Sequence, residues 1–350
     1  MKFWPYEEVL FKATDLSRGQ FALECPWLTS EFEVVPNSKN FQALTSHIDK
    51  PTLSPDLAEL WAGLSTLPIV YHLPRLYPFG TDAHFAKEVL ACESPSSCAQ
   101  SLGIEADAFF EKEWTWDHDA ILKMAAIGDC AFYDPITLLS IARRFHYLDC
   151  SDNKIDELYQ KVASIQDIPT RKQALATLVR QNHYVTEQCQ SSLEPAMDLA
   201  GSAAQDLASF MNAERGHDKL LGRSLLALNA QSPSWAALDA TQALMNILRV
   251  SAEKNFLAFC INLDFFEKPQ FKEKDGLAEL LENSAEFTAA KSLHIHKKIN
   301  DEGGHESVPL TLLTHMRPVD KVYAHQALCL AELASFAIAQ IPYQLESCLF

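Results

Sequence analysis

The sequence predicts an all-α protein whose second half folds as a bundle of long helices. Apolar residues recur at spacings of three and four over long segments, which is the period of a helix. Runs of alternating β-branched residues, which would indicate strands, are few, and glycine is scarce, with 11 in 350 residues. A chain of this length is too long for one small domain and suits two.

The composition argues against several classes of partner and location. The net charge of −17 disfavours binding to nucleic acid or to anionic membranes. The nine cysteines include no Cys-x-x-Cys pair, so reduced thiols in a reducing compartment are expected. The opening residues, MKFWPYEEVLFK, lack the apolar segment of a signal peptide, and no apolar run approaches the roughly 20 residues of a membrane span. We therefore expect a cytoplasmic protein.

Residues 1–150 are expected to form an accessory, mostly helical region of short helices and loops. Its first half contains many prolines, which interrupt regular helices: Pro26, Pro36, Pro51, Pro55, Pro68, Pro74 and Pro78. The polar segment Leu148–Asn153 marks a boundary, where Ser151 or Asp152 can cap the next helix. The predicted domains are residues 1–150 and residues 151–350.

The sequence of the second domain predicts long helices that follow one another closely. The expected segments are Thr170–Leu199, Ser202–Leu228, Ser234–Phe266, Gly276–Asn283, a helix from Glu286 onward, and Pro318–Ile341. Helices of this length pack as a bundle, and facing helices of a bundle can hold metal on inward side chains.

The first candidate metal ligands are Glu214 and His217. On a regular helix, residues three apart share a face, and Glu-x-x-His is how bundles present a carboxylate and an imidazole to one ion. Such ligands suit iron, manganese or zinc. The alternative is a solvated helix face, since the neighbouring residues are charged.

The second candidate is Glu253, on a helix rich in Leu, Ile, Met and Phe. A carboxylate on a buried face needs a partner charge or a metal. The alternative is an exposed edge, which the adjacent Lys254 would mark.

The third candidate group is His294, Asp301 and His305. At about 100° per residue, the three fall within roughly 20° of one line along a helix. His296 points elsewhere on a regular helix, although a distortion at Gly303-Gly304 would turn it inward. The alternative is a frayed polar helix end.

The order of these groups resembles that of the heme-oxygenase-like di-iron oxidases and oxygenases, over roughly residues 165–340. In that family, early core helices supply Glu and His, the next supplies Glu, and a later one supplies a His-x-x-x-Asp-x-x-His set. The resemblance implies a heme-oxygenase-like helical bundle with two iron ions, or manganese, on these ligands: Glu214, His217, Glu253, His294, Asp301 and His305. The third group has stretched spacing, which leaves open one metal, two or none, and His294 or His296 as ligand.

Three functions follow from this resemblance. The first is an iron-dependent oxidase or oxygenase that activates O₂ on a small organic substrate. The second is a non-catalytic helical binding protein of the same fold with a degenerate metal site. The third is a metal-free, thiaminase-like hydrolase, whose nucleophile would be Cys189 or Cys260. A homodimer is one candidate assembly.

Overall fold

The computed structural model describes the backbone of residues 12–17, 20–25 and 28–33. It describes in full residues 89, 91–104, 110, 113–127, 132–151, 154–229, 237–267 and 275–350. Part of the predicted accessory region therefore lies outside the described residues.

Three short strands near the N-terminus form an antiparallel sheet. They are β1 (Lys12–Ser17), β2 (Gln20–Cys25) and β3 (Leu28–Glu33), in the order β1-β2-β3. Lys12 pairs with Glu24, and Gln20 pairs with Glu33. The prediction of helices and loops here missed this sheet. Its signal was the period of two in the second strand, where Phe21, Leu23 and Cys25 alternate with other residues.

Helices make up most of the remaining described chain, which confirms the all-α class. Two two-residue strands, β4 (Phe132–Tyr133) and β5 (Val319–Asp320), pair with each other. The helices are α1 (Pro95–Ser101), α2 (His118–Ala125), α3 (Pro135–Asp149), α4 (Lys154–Ser164), α5 (Ile168–Leu193), α6 (Ala204–Ala213), α7 (His217–Leu228), α8 (Asp239–Lys254), α9 (Phe256–Glu267), α10 (Gly276–Asn283), α11 (Phe287–Gly303), α12 (Val308–Thr314) and α13 (Lys321–Leu349).

Aspartate caps fix the start of several helices. The side chains of Asp134, Asp167, Asp275 and Asp320 accept hydrogen bonds from backbone N–H groups of the first turns of α3, α5, α10 and α13. Each cap satisfies donors that have no partner within the helix.

Two of the predicted long helices are divided, and both divisions affect the candidate site. The segment predicted over Ser202–Leu228 separates into α6 and α7 at a turn that contains Gly216, with φ 94°. The segment predicted over Ser234–Phe266 separates into α8 and α9 at Asn255, whose backbone is extended. Helical spacing does not continue across either division, so residues on opposite sides of it do not share the helix face that their spacing predicts.

Asn255 stabilises the division between α8 and α9. Its side-chain oxygen accepts a hydrogen bond from the N–H of Ala258 at 2.9 Å, so it caps α9. Its side-chain nitrogen donates to the carbonyl of Tyr323 at 3.1 Å and to Gln326 at 2.8 Å. The N–H of Phe256 donates to the Tyr323 hydroxyl at 2.7 Å. The buried polar groups at this break are therefore bonded to α13.

The main hydrophobic core is built from both sides of residue 150. Helix α9 is buried along nearly its whole length, and α13 contributes buried residues from Tyr323 to Ala337. Residues of α2 and α3, such as Ile121 and Leu138, belong to the same core. The buried carboxylate of Asp264 on α9 accepts two hydrogen bonds from Arg143 on α3, at 2.5 and 2.7 Å.

Helix α13 is also the one described helix that is long and apolar enough to cross a membrane, by length and composition alone. In this structure 78% of the most apolar stretch of α13 is buried inside the protein. Such burial is compatible with a core helix of a soluble protein.

We expect Asp264→Ala to lower the free energy of unfolding by roughly 3 kcal/mol, because it leaves the Arg143 guanidinium without its buried partner. The control is Asp301→Ala, which removes an exposed ion pair with Lys297 and should cost less than about 0.5 kcal/mol. Urea unfolding followed by circular dichroism measures both. Equal losses in the two variants would contradict the assigned role of the Arg143–Asp264 pair.

Candidate metal centre

Glu214 and His217 meet in the turn between α6 and α7, not on one helix face as predicted. Glu214 is the C-cap residue that follows α6, and His217 begins α7 after Gly216. The left-handed conformation of Gly216 suits glycine, and it returns the chain so that the two side chains meet. His217 Nδ1 lies 3.0 Å from Glu214 Oε2, and both side chains are buried.

His305 reaches the same place from the far end of α11. That helix ends at Gly303, with Gly304 in the left-handed conformation, and His305 starts a short 3-10 turn. A Cβ at Gly303 would lie 2.8 Å from the His305 ring, so the close approach of the ring requires glycine there. The buried His305 Nδ1 lies 2.9 Å from Glu214 Oε1.

Glu267 completes the group, and the sequence analysis missed it. It is the last residue of α9, and its Oε2 lies 3.6 Å from His305 Nδ1. One ligand atom each from Glu214, Glu267 and His305 all lie within 4.8 Å of one another. Its signal in the sequence was a carboxylate at the end of a run, Phe256–Phe266, that is apolar except for Asn262 and Asp264.

The charges of this group support one another. Burial would raise the pKa of Glu214, but the adjacent His217 and His305 lower it to about 2. Burial would lower the pKa of His305, but Glu214 and Glu267 raise it to about 9. Burial, with the nearby Glu214 carboxylate, raises the pKa of Glu267 even though His305 opposes the shift. In the metal-free chain, the favoured state is a Glu214 carboxylate beside a protonated His305.

Several polar atoms of the group lack a hydrogen-bond partner despite being buried. They are Glu214 Oε1, both ring nitrogens of His305, and His217 Nε2. The contact between His305 and Glu214 is short, but its direction is not that of a hydrogen bond. Buried polar atoms are normally bonded, and each exception calls for an explanation such as an ion. These atoms are nitrogen and oxygen donors, which a divalent metal would bind.

Further side chains surround the group. The rings of His296 and His217 are nearly perpendicular with centroids 4.8 Å apart, and those of Phe210 and His305 are nearly perpendicular with centroids 5.2 Å apart. His296 is half-buried, and burial together with His217 lowers its pKa to about 4. Cys189 Sγ lies 3.9 Å from Glu214 Oε2. The sequence left open whether His294 or His296 is a ligand, and His296 is the one that lies near the group.

The other three predicted ligands lie at the surface, so their assignment is corrected. Glu253 is 38% exposed and pairs with Arg249, because both lie on the exposed face of α8. His294 is 46% exposed and contacts Glu282 at 2.8 Å, and Asp301 is 60% exposed and contacts Lys297. We predicted that His294, Asp301 and His305 share one face of a helix. They do not, because α11 ends at Gly303, before His305.

The two cysteines of the hydrolase alternative have environments that oppose nucleophilic chemistry. Burial, with the nearby Glu214 carboxylate, raises the pKa of Cys189, and burial raises the pKa of Cys260 well above its usual value. Because the thiolate is the nucleophilic form, neither side chain is activated in the metal-free chain.

Comparison with known proteins adds no relative. No protein-family model, no curated protein and no solved structure matches this chain. The heme-oxygenase-like fold stays a prediction, and functional inference depends on the geometry of the site.

We expect the metal-free protein to lose on the order of 3 kcal/mol of unfolding free energy between pH 6.5 and pH 9 through His305. The pKa of His305 is raised in the folded chain, so its contribution is fully present below pH 6.5 and is lost as the pH rises through 9. Glu214→Gln removes a charge that holds this proton and should reduce the loss.

Urea unfolding of metal-free protein across this pH range measures the effect. Glu253→Gln, at the surface, should keep the wild-type slope. Buried thiols also titrate at high pH, but they are common to all three proteins, so the comparison cancels their contribution. Equal slopes in Glu214→Gln and wild type would show that the pair does not set the pH dependence.

Proposed function

We propose that this chain is a metal-dependent oxidoreductase that binds a divalent transition-metal ion on Glu214, Glu267 and His305 and activates O₂ on a small organic substrate. The observation that carries the proposal is the convergence of two buried side chains, Glu214 and His305, with the half-buried Glu267, from different parts of the chain and with ligand atoms within 4.8 Å of one another.

A metal accounts for this cluster better than packing alone. Burying ionisable groups is costly unless charge and hydrogen bonding are both satisfied. Here Glu214 Oε1 and His305 Nδ1 are close together, yet neither has a hydrogen bond. Neighbouring ligands of an ion with bonds of about 2.0–2.2 Å stand about 3 Å apart. The observed separations of 2.9 and 3.6 Å from His305 Nδ1 are near this value.

Iron is the ion we propose, with manganese as the alternative. Two carboxylates and one imidazole suit either ion, and three protein ligands leave positions open. Ferrous iron bound there would supply the electron chemistry of O₂ activation. The proposed site holds one ion, because the surface positions of Glu253, His294 and Asp301 remove half of the ligands expected for two.

The side chains around these three ligands would orient them. The His217 Nδ1–H donates to Glu214 Oε2, which directs Oε1 towards His305. This bond uses Nδ1 of His217, and Nε2 of the same ring has no hydrogen-bond partner. His217 is thus a positioning residue for Glu214.

A specific observation favours the second function, a non-catalytic helical binding protein. The ligand set of the di-iron family is incomplete here, since three of its six predicted members are exposed. In that case the ion would stabilise the fold without reacting with O₂. The cytoplasmic location, the small-molecule substrate and the homodimer are parts of the oxidoreductase proposal.

We expect Glu267→Gln to weaken Fe²⁺ binding at least about tenfold, because it removes one of the two carboxylates from the ion. The matched control is Glu253→Gln, the same substitution on the preceding helix, which should bind iron as wild type does. Anaerobic Fe²⁺ titration with metal analysis of the desalted protein measures both. Equal iron content in the two variants would exclude Glu267 as a ligand.

We expect the iron-loaded wild type to consume O₂ when it is mixed with air-saturated buffer, and His305→Gln to lose this reaction. His294→Gln is the control, because it replaces an exposed histidine that contacts Glu282. An oxygen electrode records consumption per bound iron. Iron binding without O₂ consumption in wild type would overturn the oxidoreductase proposal and favour the binding protein.

A further inference from the structure

We propose that His118, His325 and Cys329 bind a second metal ion, Zn²⁺, between α2 and α13. The two described groups with ligand atoms close enough to hold an ion are the centre above and this one. The inference does not depend on the proposed function.

The three side chains come from two packed helices. His118 is the first residue of α2 and is buried. His325 and Cys329 are four residues apart on α13, so they share one face of that helix. His325 is half-buried, which gives an ion a route to the site, while Cys329 is buried.

The separations match the edges of a tetrahedral zinc site. With Zn–N bonds of about 2.0 Å and a Zn–S bond of about 2.3 Å, two nitrogens stand about 3.3 Å apart, and a nitrogen and a sulfur about 3.6 Å apart. His118 Nδ1 lies 3.1 Å from His325 Nε2 and 3.9 Å from Cys329 Sγ. Three protein ligands would leave the fourth position open.

Glu332 prepares His118 for this role. Its Oε2 lies 2.6 Å from His118 Nε2, inside the protein. A carboxylate there holds the proton on Nε2, which leaves the lone pair of Nδ1 directed at His325 and Cys329. Metal-binding histidines usually have such an outer carboxylate partner.

The carboxylate of Glu332 is itself held in place by the segment that precedes α2. Its other oxygen accepts hydrogen bonds from the N–H of Thr115 at 2.6 Å, the Thr115 hydroxyl at 3.0 Å and the N–H of Trp116 at 3.0 Å. A fully buried carboxylate with this many donors is held in one orientation. Glu332 is thus a positioning residue for His118.

The donor set selects a softer ion than the first centre does. Two imidazoles and a thiolate favour zinc, whereas the carboxylates of Glu214 and Glu267 suit iron or manganese. When Zn²⁺ binds, the Cys329 S–H bond breaks and its proton passes to solvent, while the sulfur electron pair forms the Zn–S bond. The thiolate and Glu332 together balance the charge of the ion.

The competing explanation is a metal-free chain of hydrogen bonds. With Nε2 of His118 donating to Glu332, one proton on His325 Nε2 would satisfy the contact to His118 Nδ1. In that arrangement Cys329 contributes only a weak contact at 3.9 Å. A role for the sulfur therefore separates the two explanations.

The experiment uses Co²⁺ as a spectroscopic substitute for Zn²⁺, with a non-thiol reductant that keeps the cysteines reduced. Titration of the full chain should produce a thiolate-to-cobalt charge-transfer band, which Zn²⁺ then removes by displacement. Cys329→Ser should abolish the band, and Cys348→Ser, at an exposed cysteine, should keep it. Glu214→Gln should also keep it, which separates this site from the first centre.

Two further variants keep the proposal falsifiable if Cys329→Ser fails to fold. His325→Gln, at a half-buried position, should weaken Zn²⁺ binding measured by competition with a chelator. Glu332→Gln should retain the cobalt band but weaken binding by about 10- to 100-fold. A wild type without the band, or a band that persists in folded Cys329→Ser, would overturn the proposal.

Discussion

The pairing of buried charge inside a helical core is the constraint on which this structure depends. Glu214, Asp264 and Glu332 are buried carboxylates, and each contacts at least one partner from a distant part of the chain. His217 and His305 approach the first, Arg143 binds the second, and His118 with two backbone donors binds the third. Because an unpaired buried charge is costly, these contacts restrict how the helices can pack.

The two candidate metal groups differ in chemistry and in how they are supported. At the first, carboxylates predominate and several polar atoms lack partners, so an ion would complete the interactions. At the second, Glu332 already orients His118, and the softer sulfur of Cys329 is nearby. Helix α13 supplies most of the second group and also bonds to Asn255 at the helix break, so the fold and this site share one element.

The sequence predicted the helical class and the residue types of the first centre, but only part of its membership. Glu214 was found through the Glu-x-x-His spacing and His305 through its alignment with His294 and Asp301, although neither residue lies within the helix that this spacing assumed. Glu253 lies outside the centre because it is on the exposed face of α8, and the buried character of α9 does not extend back to it across the break at Asn255. Glu267 was missed because its position depends on how α9 crosses the core, which is a property of tertiary packing and not of local spacing.

The ligands of the first centre are supplied by the end of α6, the end of α9 and the turn after α11. An unfolded chain does not hold such distant residues together, so an ion would bind the folded chain in preference. By mass action, an ion at a thousand times its dissociation constant adds about 4 kcal/mol to the free energy of unfolding. The free energy of unfolding, and with it the resistance of the protein to proteolysis, would then depend on the supply of that metal.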